Sequence, residues 1–266
     1  MFFALAKGKI PLEGFEIEHV VEDIESLNRR ALRAELEVTA LSCHAFGLLS
    51  DRYQLLPYGA SVGEGYGPLV VARSSVPQGK RPAIRGKKIA VPGRTTTAYL
   101  TLQLYEPDFT PVFAPFNEIF EAVQSGKADF GLLIHEGQLT YRDLGFEKVV
   151  DLGEWWKETY GLPLPLGINA IRRDLGVETI AHFSRLFRKS IDYAMAHREE
   201  AIQYALQFGR GIDAKQGDRF VGMYVNEFSL DFGERAFTAL ELLYDLGWRK
   251  GLLPARVRLE GLKEVT

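Results

Sequence analysis

Cysteine is almost missing from these 266 residues. Cys43 is the only one, which excludes an internal disulfide and any cysteine-built metal site and fits a reducing compartment. In the run Ala40-Leu41-Ser42-Cys43-His44-Ala45-Phe46 this thiol reads as a small buried hydrophobe rather than a nucleophile. Long apolar runs are missing too. Nothing approaches the roughly 20 residues that span a bilayer, and Met1 to Ala6 is too short for a secretory leader and lacks a cleavage site. A soluble protein of the cytoplasm, away from any membrane, is expected. Charge of one sign is not in excess: 32 Lys and Arg face 35 Asp and Glu, a net charge of -3, so no nucleic-acid partner is implied. The basic residues at Lys80-Arg81 and Arg85-Gly86-Lys87-Lys88 read as a solvated loop. A phosphate-loop signature is absent, and no histidine pair has metal-ligand spacing.

What is present is an alternation of strand-like and helix-like segments, which predicts an α/β fold with mostly parallel sheet and covering helices. Phe2 to Lys7 reads as a helix end with Gly8 just past it, and Phe15 to Val20 alternates as a half-exposed strand would. Asp23 is a plausible N-cap for a helix to Leu32 whose apolar face carries Ile24, Leu27, Ala31 and Leu32. Val38 to Ser42 is a strand that runs straight into the helix Cys43 to Leu49. Four glycines between Gly59 and Gly67 precede the strand Pro68 to Arg73, the wrong order for a dinucleotide fingerprint.

Between Ser74 and Lys88 the composition shifts to Pro, Gly, Gln, Lys and Arg, which marks a crossing between lobes. A second unit follows: strand Lys88 to Val91, helix Ala98 to Tyr105, strand Pro111 to Phe113, helix Asn117 to Ser125 capped by Asn117, and strand Phe130 to Ile134. Strand Lys148 to Leu152 leads to Gly161 to Gly167, where the chain crosses back into a strand at Ile168 to Arg173. The remainder, Ile180 to Ala196, Glu199 to Phe208, Gly217 to Val225 and Gly233 to Leu246, is helical. Two crossings predict a discontinuous first lobe, residues 1–74 and 168–266, a second lobe, residues 75–167, and a ligand cleft between them.

In open α/β sheets ligands bind beyond the carboxyl ends of the strands, where helix N-termini also point. Three segments reach that edge. Ser42 stands at a strand-to-helix turn. Thr95-Thr96-Thr97 combine cap hydroxyls with free N–H groups at a helix start, which favours a carboxylate or phosphate. His135 ends a buried strand, where a neutral imidazole can serve as general base. Pairing of His135 with Glu136 requires the strand to have ended by His135, since neighbours on a strand face opposite ways. His19, His182 and His197 are weaker candidates, and helical geometry turns His44 away from the strand tip.

Taken in order, Asp23-Ile24-Glu25-Ser26-Leu27-Asn28, Thr39-Ala40-Leu41-Ser42, Gly67-Pro68-Leu69-Val70-Val71-Ala72, Val91-Pro92-Gly93-Arg94-Thr95-Thr96-Thr97-Ala98-Tyr99, Ile134-His135-Glu136, Val150-Asp151-Leu152-Gly153-Glu154-Trp155-Trp156, Gly161-Leu162-Pro163-Leu164-Pro165-Leu166-Gly167 and Tyr224-Val225-Asn226 resemble the 1,4-dihydroxy-6-naphthoate synthase family of the futalosine route to menaquinone. The resemblance implies a two-lobed type II periplasmic-binding-protein-like fold used as an enzyme. It implies a lyase that converts cyclic dehypoxanthinyl futalosine to 1,4-dihydroxy-6-naphthoate with release of dihydroxyacetone, without metal or organic cofactor, as a monomer or homodimer. His135 would be the base, and Ala40, Leu41, Ser42, Thr96, Thr97 and Ala98 would line the site of a small anionic substrate. The sister chorismate dehydratase of the same pathway and a solute-binding protein for a small anion are the rival readings. Family members carry a further strand and a Pro-Asn-Asp-Thr-type loop ahead of the segment that opens this chain, so the first lobe's sheet is expected to lack its central strand. They often carry lysine where Ala40 stands, and no anion contact is expected from that side chain.

Overall fold

The computed structural model describes residues 1–73, 84–208, 217–218, 221–223, 225–257 and 259. Two sheets organise it. In the first, the nine-residue strand β9 (Leu164–Arg172) lies between β1 (Val38–Ser42) and β2 (Tyr53–Leu55), while β3 (Ser61–Gly63) pairs with the N-terminal part of β9. Every one of these pairings is antiparallel. The second sheet has the order β6-β5-β7-β4-β8, built from β4 (Leu69–Arg73), β5 (Lys88–Val91), β6 (Thr110–Phe113), β7 (Phe130–Leu133) and β8 (Phe146–Asp151). Here β5 is parallel to both neighbours, and β4 runs against β7 and β8. The mostly parallel expectation is therefore corrected: the second sheet is mixed, with two parallel and two antiparallel pairings, and the first is wholly antiparallel. The cause is connectivity: the first sheet is assembled around a strand that returns from the second.

Sheet membership also moves two expected strand positions. Leu69–Arg73, read into residues 1–74 of the first lobe, pairs with β7 and β8 in the second sheet. The returning strand begins at Leu164, ahead of the expected position 168. The composition shift that suggested a crossing at Ser74 to Lys88 falls largely outside the described residues, as do Lys80, Arg81, Tyr224 and positions 219–220 of the stretch Gly217 to Val225. The chain leaves the first sheet after Gly63 and re-enters it at Leu164. At the crossing, a side chain on Gly153 would stand 2.0 Å from the Tyr66 carbonyl carbon, so only glycine lets the two passing segments meet.

Phe15 to Val20 forms no strand. Phe15 and Ile17 are partly buried instead against the long helix α8 (Val177–Ala196), with the Phe15 and Phe183 rings edge to face at 5.6 Å. Alternation recorded one-sided burial, not strand pairing. Asp23 caps α2 (Ile24–Leu32) as expected, accepting the N–H groups of Glu25 and Ser26. Asn117 caps nothing: it sits inside a single 3₁₀ turn before α5 (Ile119–Gln124). Helix α4 (Thr97–Tyr105) lies between the sheets and is apolar on both sides, with Leu100 and Leu104 in the first sheet's core and Ala98 and Leu102 in the second's.

Candidate active site

The site is assembled at the C-terminal ends of β1, β5 and β7. Ser42 ends β1, where it pairs with Gly167 of β9, and precedes α3 (Cys43–Gly47) without capping it through its side chain. Ser42 is buried, and both its N–H and its Oγ are held by Asn28. The Ser42 N–H donates to Asn28 Oδ1 at 3.0 Å, and Asn28 Nδ2 donates to Ser42 Oγ at 3.1 Å. The same Nδ2 lies 3.4 Å from the Thr95 carbonyl. Of the neighbouring candidates, Leu41 is wholly enclosed in the first core, so only its backbone reaches the edge, and Ala40 is half-buried.

The three threonine hydroxyls are each committed within the protein. Thr96 caps α4, accepting the Tyr99 N–H at 3.2 Å and donating to the Gly93 carbonyl at 3.1 Å. Thr97 donates to the Leu166 carbonyl of β9 at 2.6 Å and receives the His44 N–H at 3.4 Å. Thr95 donates to Glu25 Oε2 at 2.8 Å. The first turn of α4 leaves the N–H groups of Thr97 and Ala98 without an acceptor among the described residues. A helix start of this kind suits an anion through its N–H groups and dipole.

Sequence reasoning missed Glu25, Asn28 and His44 as parts of this edge. Glu25 Oε1 accepts the Arg94 N–H, and Oε2 accepts the Thr95 N–H and hydroxyl. A side chain on Gly93 would come within 2.3 Å of that carboxylate, so glycine is required for the approach. His44 is buried with Nδ1 3.3 Å from the Thr96 carbonyl, and burial lowers its pKa against the carbonyls of Thr96 and Leu252, which raise it. It turns from the Ser42 tip, as read, but toward the threonines. Asn28 carried a legible signal. It follows Ile24 by four residues and precedes Ala31 by three, a polar residue on the apolar stripe; with Ala31 it is the fully buried part of α2.

His135 lies one residue beyond Ile134, after β7 has ended at Leu133, with φ of 61°. A non-glycine residue in this left-handed region holds its side chain in a direction ordinary strand geometry does not offer, and such residues gather at functional sites. Its carbonyl accepts the Gln138 N–H at 3.1 Å, which locks the turn, and its ring meets Phe116 edge to face at 4.7 Å. Because the strand has already ended, the alternation that set His135 and Glu136 on opposite faces does not reach them. A charge does act on His135: that of Asp23 at the start of α2. Burial raises the Asp23 pKa, but the Ser26 hydroxyl, the Ser26 and Glu25 N–H groups and the positive charge of His135 prevail and hold it below the usual carboxylate range. The start of α2 thus interacts electrostatically with His135, while Asn28 in its middle holds Ser42 and the Thr95 carbonyl.

The other histidines serve the surface. His19 contacts the Tyr204 hydroxyl, His182 contacts Glu13, and His197 stacks on Tyr193. Cys43 is buried and its thiol is pushed up to about 12 by burial, which leaves it inert.

With this edge described, relatives are informative. A family model described as menaquinone biosynthesis matches residues 1–248. The chain belongs to the menaquinone biosynthesis family. Within it, the chain is 42% identical over 252 residues to the 1,4-dihydroxy-6-naphthoate synthase of Thermus thermophilus, covering 95% of this chain and 90% of that protein. A crystal structure from Archaeoglobus fulgidus superposes with a TM-score of 0.88 at 51% identity over 94% of this chain and 92% of that one. A Candida albicans protein described as having the generic periplasmic binding protein fold superposes at 0.63 with 15% identity, over 99% and 94% of the two chains. The menaquinone-family chain has that two-lobed fold, with two crossovers and a central cleft, as the resemblance implied. No helix among the described residues is long and apolar enough to cross a membrane.

Proposed function

We propose that this chain is a 1,4-dihydroxy-6-naphthoate synthase, a lyase that takes cyclic dehypoxanthinyl futalosine to 1,4-dihydroxy-6-naphthoate and dihydroxyacetone. The observation that carries the reading is His135, held at positive φ beyond a buried strand with the Asp23 carboxylate at the start of α2 acting on it. The name of the Thermus thermophilus relative supports the same chemistry. In this reading His135 takes a proton from the bound substrate, and the electron pair released drives bond cleavage toward the aromatic product. Asp23 stabilises the imidazolium that forms. Ser42 and the Thr97 and Ala98 N–H groups receive the substrate's anionic oxygen, so the contacts expected from the Thr96 and Thr97 hydroxyls pass to backbone, while Ala40 and Leu41 line the site. The substrate-closing units are the sheet-defined lobes, one around Val38 to Gly63 with β9 and the C-terminal helices, the other around Leu69 to Asp151. The reaction belongs in the cytoplasm.

Purified protein incubated with cyclic dehypoxanthinyl futalosine should release the naphthoate, detected by its absorbance after separation. His135→Ala should lower kcat by roughly 10²- to 10⁴-fold, the usual worth of general base catalysis. Equal rates for the variant and the wild type would remove His135 from the mechanism. Turnover of chorismate in place of the futalosine would transfer the chain to the sister dehydratase.

A further inference from the structure

Ser42 has one proton to give and two lone pairs to offer, and which it shows to a ligand depends on Asn28. The amide of Asn28 has no freedom to flip. Its Oδ1 faces the Ser42 N–H at 3.0 Å, an obligate donor, so Nδ2 must be the atom 3.1 Å from Ser42 Oγ. Nδ2 only donates. One lone pair of Ser42 Oγ is consequently occupied, and the hydroxyl proton is turned elsewhere. No acceptor for it exists among the described protein groups, and Ser42 stands at the cleft edge. Asn28 is itself wholly enclosed, and its second amide proton faces the Thr95 carbonyl at 3.4 Å. A single rigid amide therefore sets both the direction of the Ser42 hydroxyl and its place relative to the first turn of α4.

We propose that Asn28 is a positioning residue for the reaction: it makes Ser42 a hydrogen-bond donor to the substrate's anionic oxygen and aligns that donor with the Thr97 and Ala98 N–H groups. The inference rests on the naphthoate synthase reading. It adds a residue that touches no substrate and acts through Ser42. Glu25, one turn earlier on the same helix, supports the arrangement from the other side by fixing the Gly93 to Thr95 turn through three hydrogen bonds.

Asn28→Asp separates this role from a merely structural one. The new side chain has the same shape and still accepts the Ser42 N–H, but as a carboxylate its second oxygen accepts the Ser42 hydroxyl and draws the proton away from the cleft. With cyclic dehypoxanthinyl futalosine as substrate, kcat/KM should fall by roughly 10- to 100-fold, the worth of one hydrogen bond to a charged group. Activity should return toward the wild-type value as pH is lowered and the introduced carboxyl regains a proton to donate. Ser42→Ala should cost a similar factor, and adding Asn28→Asp to it should cost nothing more, because the two act as one unit. Should Asn28→Asp not fold, Asn28→Ser, whose hydroxyl is too short to reach Ser42, enters the same cycle with the same expectation. Additive losses, or a kcat/KM of Asn28→Asp equal to wild type, overturn the proposal. A wild-type protein that forms no naphthoate overturns the parent reading instead, so the two failures are told apart.

Discussion

Asp23 combines two tasks in one carboxylate, and they can be separated. As an N-cap it satisfies the Glu25 and Ser26 N–H groups, and as a charge it acts on His135. Asparagine caps helices about as well as aspartate but carries no charge. Asp23→Asn should leave the melting temperature within about 2 °C of wild type, as expected of a change worth well under 1 kcal/mol. Its kcat/KM should fall by about tenfold, the equivalent of ~1.4 kcal/mol of lost charge stabilisation. Thermal unfolding and steady-state kinetics on the same preparation decide it. A drop in stability without a drop in rate would reduce Asp23 to a cap. At this scale the sequence was most informative about residues at element ends. Ser42 and His135 stand where strands stop and Thr96 where a helix starts, and those positions are readable from pattern. Glu25 and His44 were not readable, because their partners lie 70 and 52 residues away along the chain.

Among the elements, α7 (Leu152–Tyr160) carries a cap under strain of charge. Asp151 accepts the Gly153 and Glu154 N–H groups, yet burial outweighs these bonds and raises its pKa from 3.8 to about 6. A carboxyl whose folded pKa is raised contributes its stability below the unfolded value, and loses it as pH rises toward the folded value. Folding should therefore weaken between pH 4 and 6 through this group. Asp151→Asn keeps the cap and removes the buried charge. In urea unfolding at pH 7.5 it should gain about 1–2 kcal/mol over wild type, with the gain absent at pH 4. An equal gain at both pH values would sink the buried-charge explanation. The elements themselves were legible where periodicity and caps agreed, as in α2 and α4. Phe15 to Val20 was misread because period-two burial does not require a paired strand.

For the whole molecule, α4 and α7 join what the two sheets divide. Leu100 and Leu104 enter one core and Ala98 and Leu102 the other, while Trp155 packs against both. Shared helices couple the stability of the two lobes. Calorimetry should show one unfolding transition with van't Hoff and calorimetric enthalpies nearly equal. Leu102→Ala, a truncation in the second core, should cost about 2–5 kcal/mol and shift that whole transition downward. Two resolved transitions, only one of them displaced, would show that the lobes unfold separately. The same coupling bears on the site, because the helix that presents the Thr97 and Ala98 N–H groups is packed into the core that also carries Ser42.

By itself the sequence determined the α/β class, the two crossings, the family and the strand-end positions of Ser42, Thr95 to Thr97 and His135. These follow from local rules: apolar period, capping residues and where a buried run stops. Tertiary structure alone decided the antiparallel first sheet, the sheet to which Leu69–Arg73 belongs, and the spending of the threonine hydroxyls inside the protein. It also decided that α2 would act on His135 through Asp23 and grip Ser42 with Asn28. Each of these depends on which groups distant along the chain the fold brings within reach of one another, and no local pattern records that.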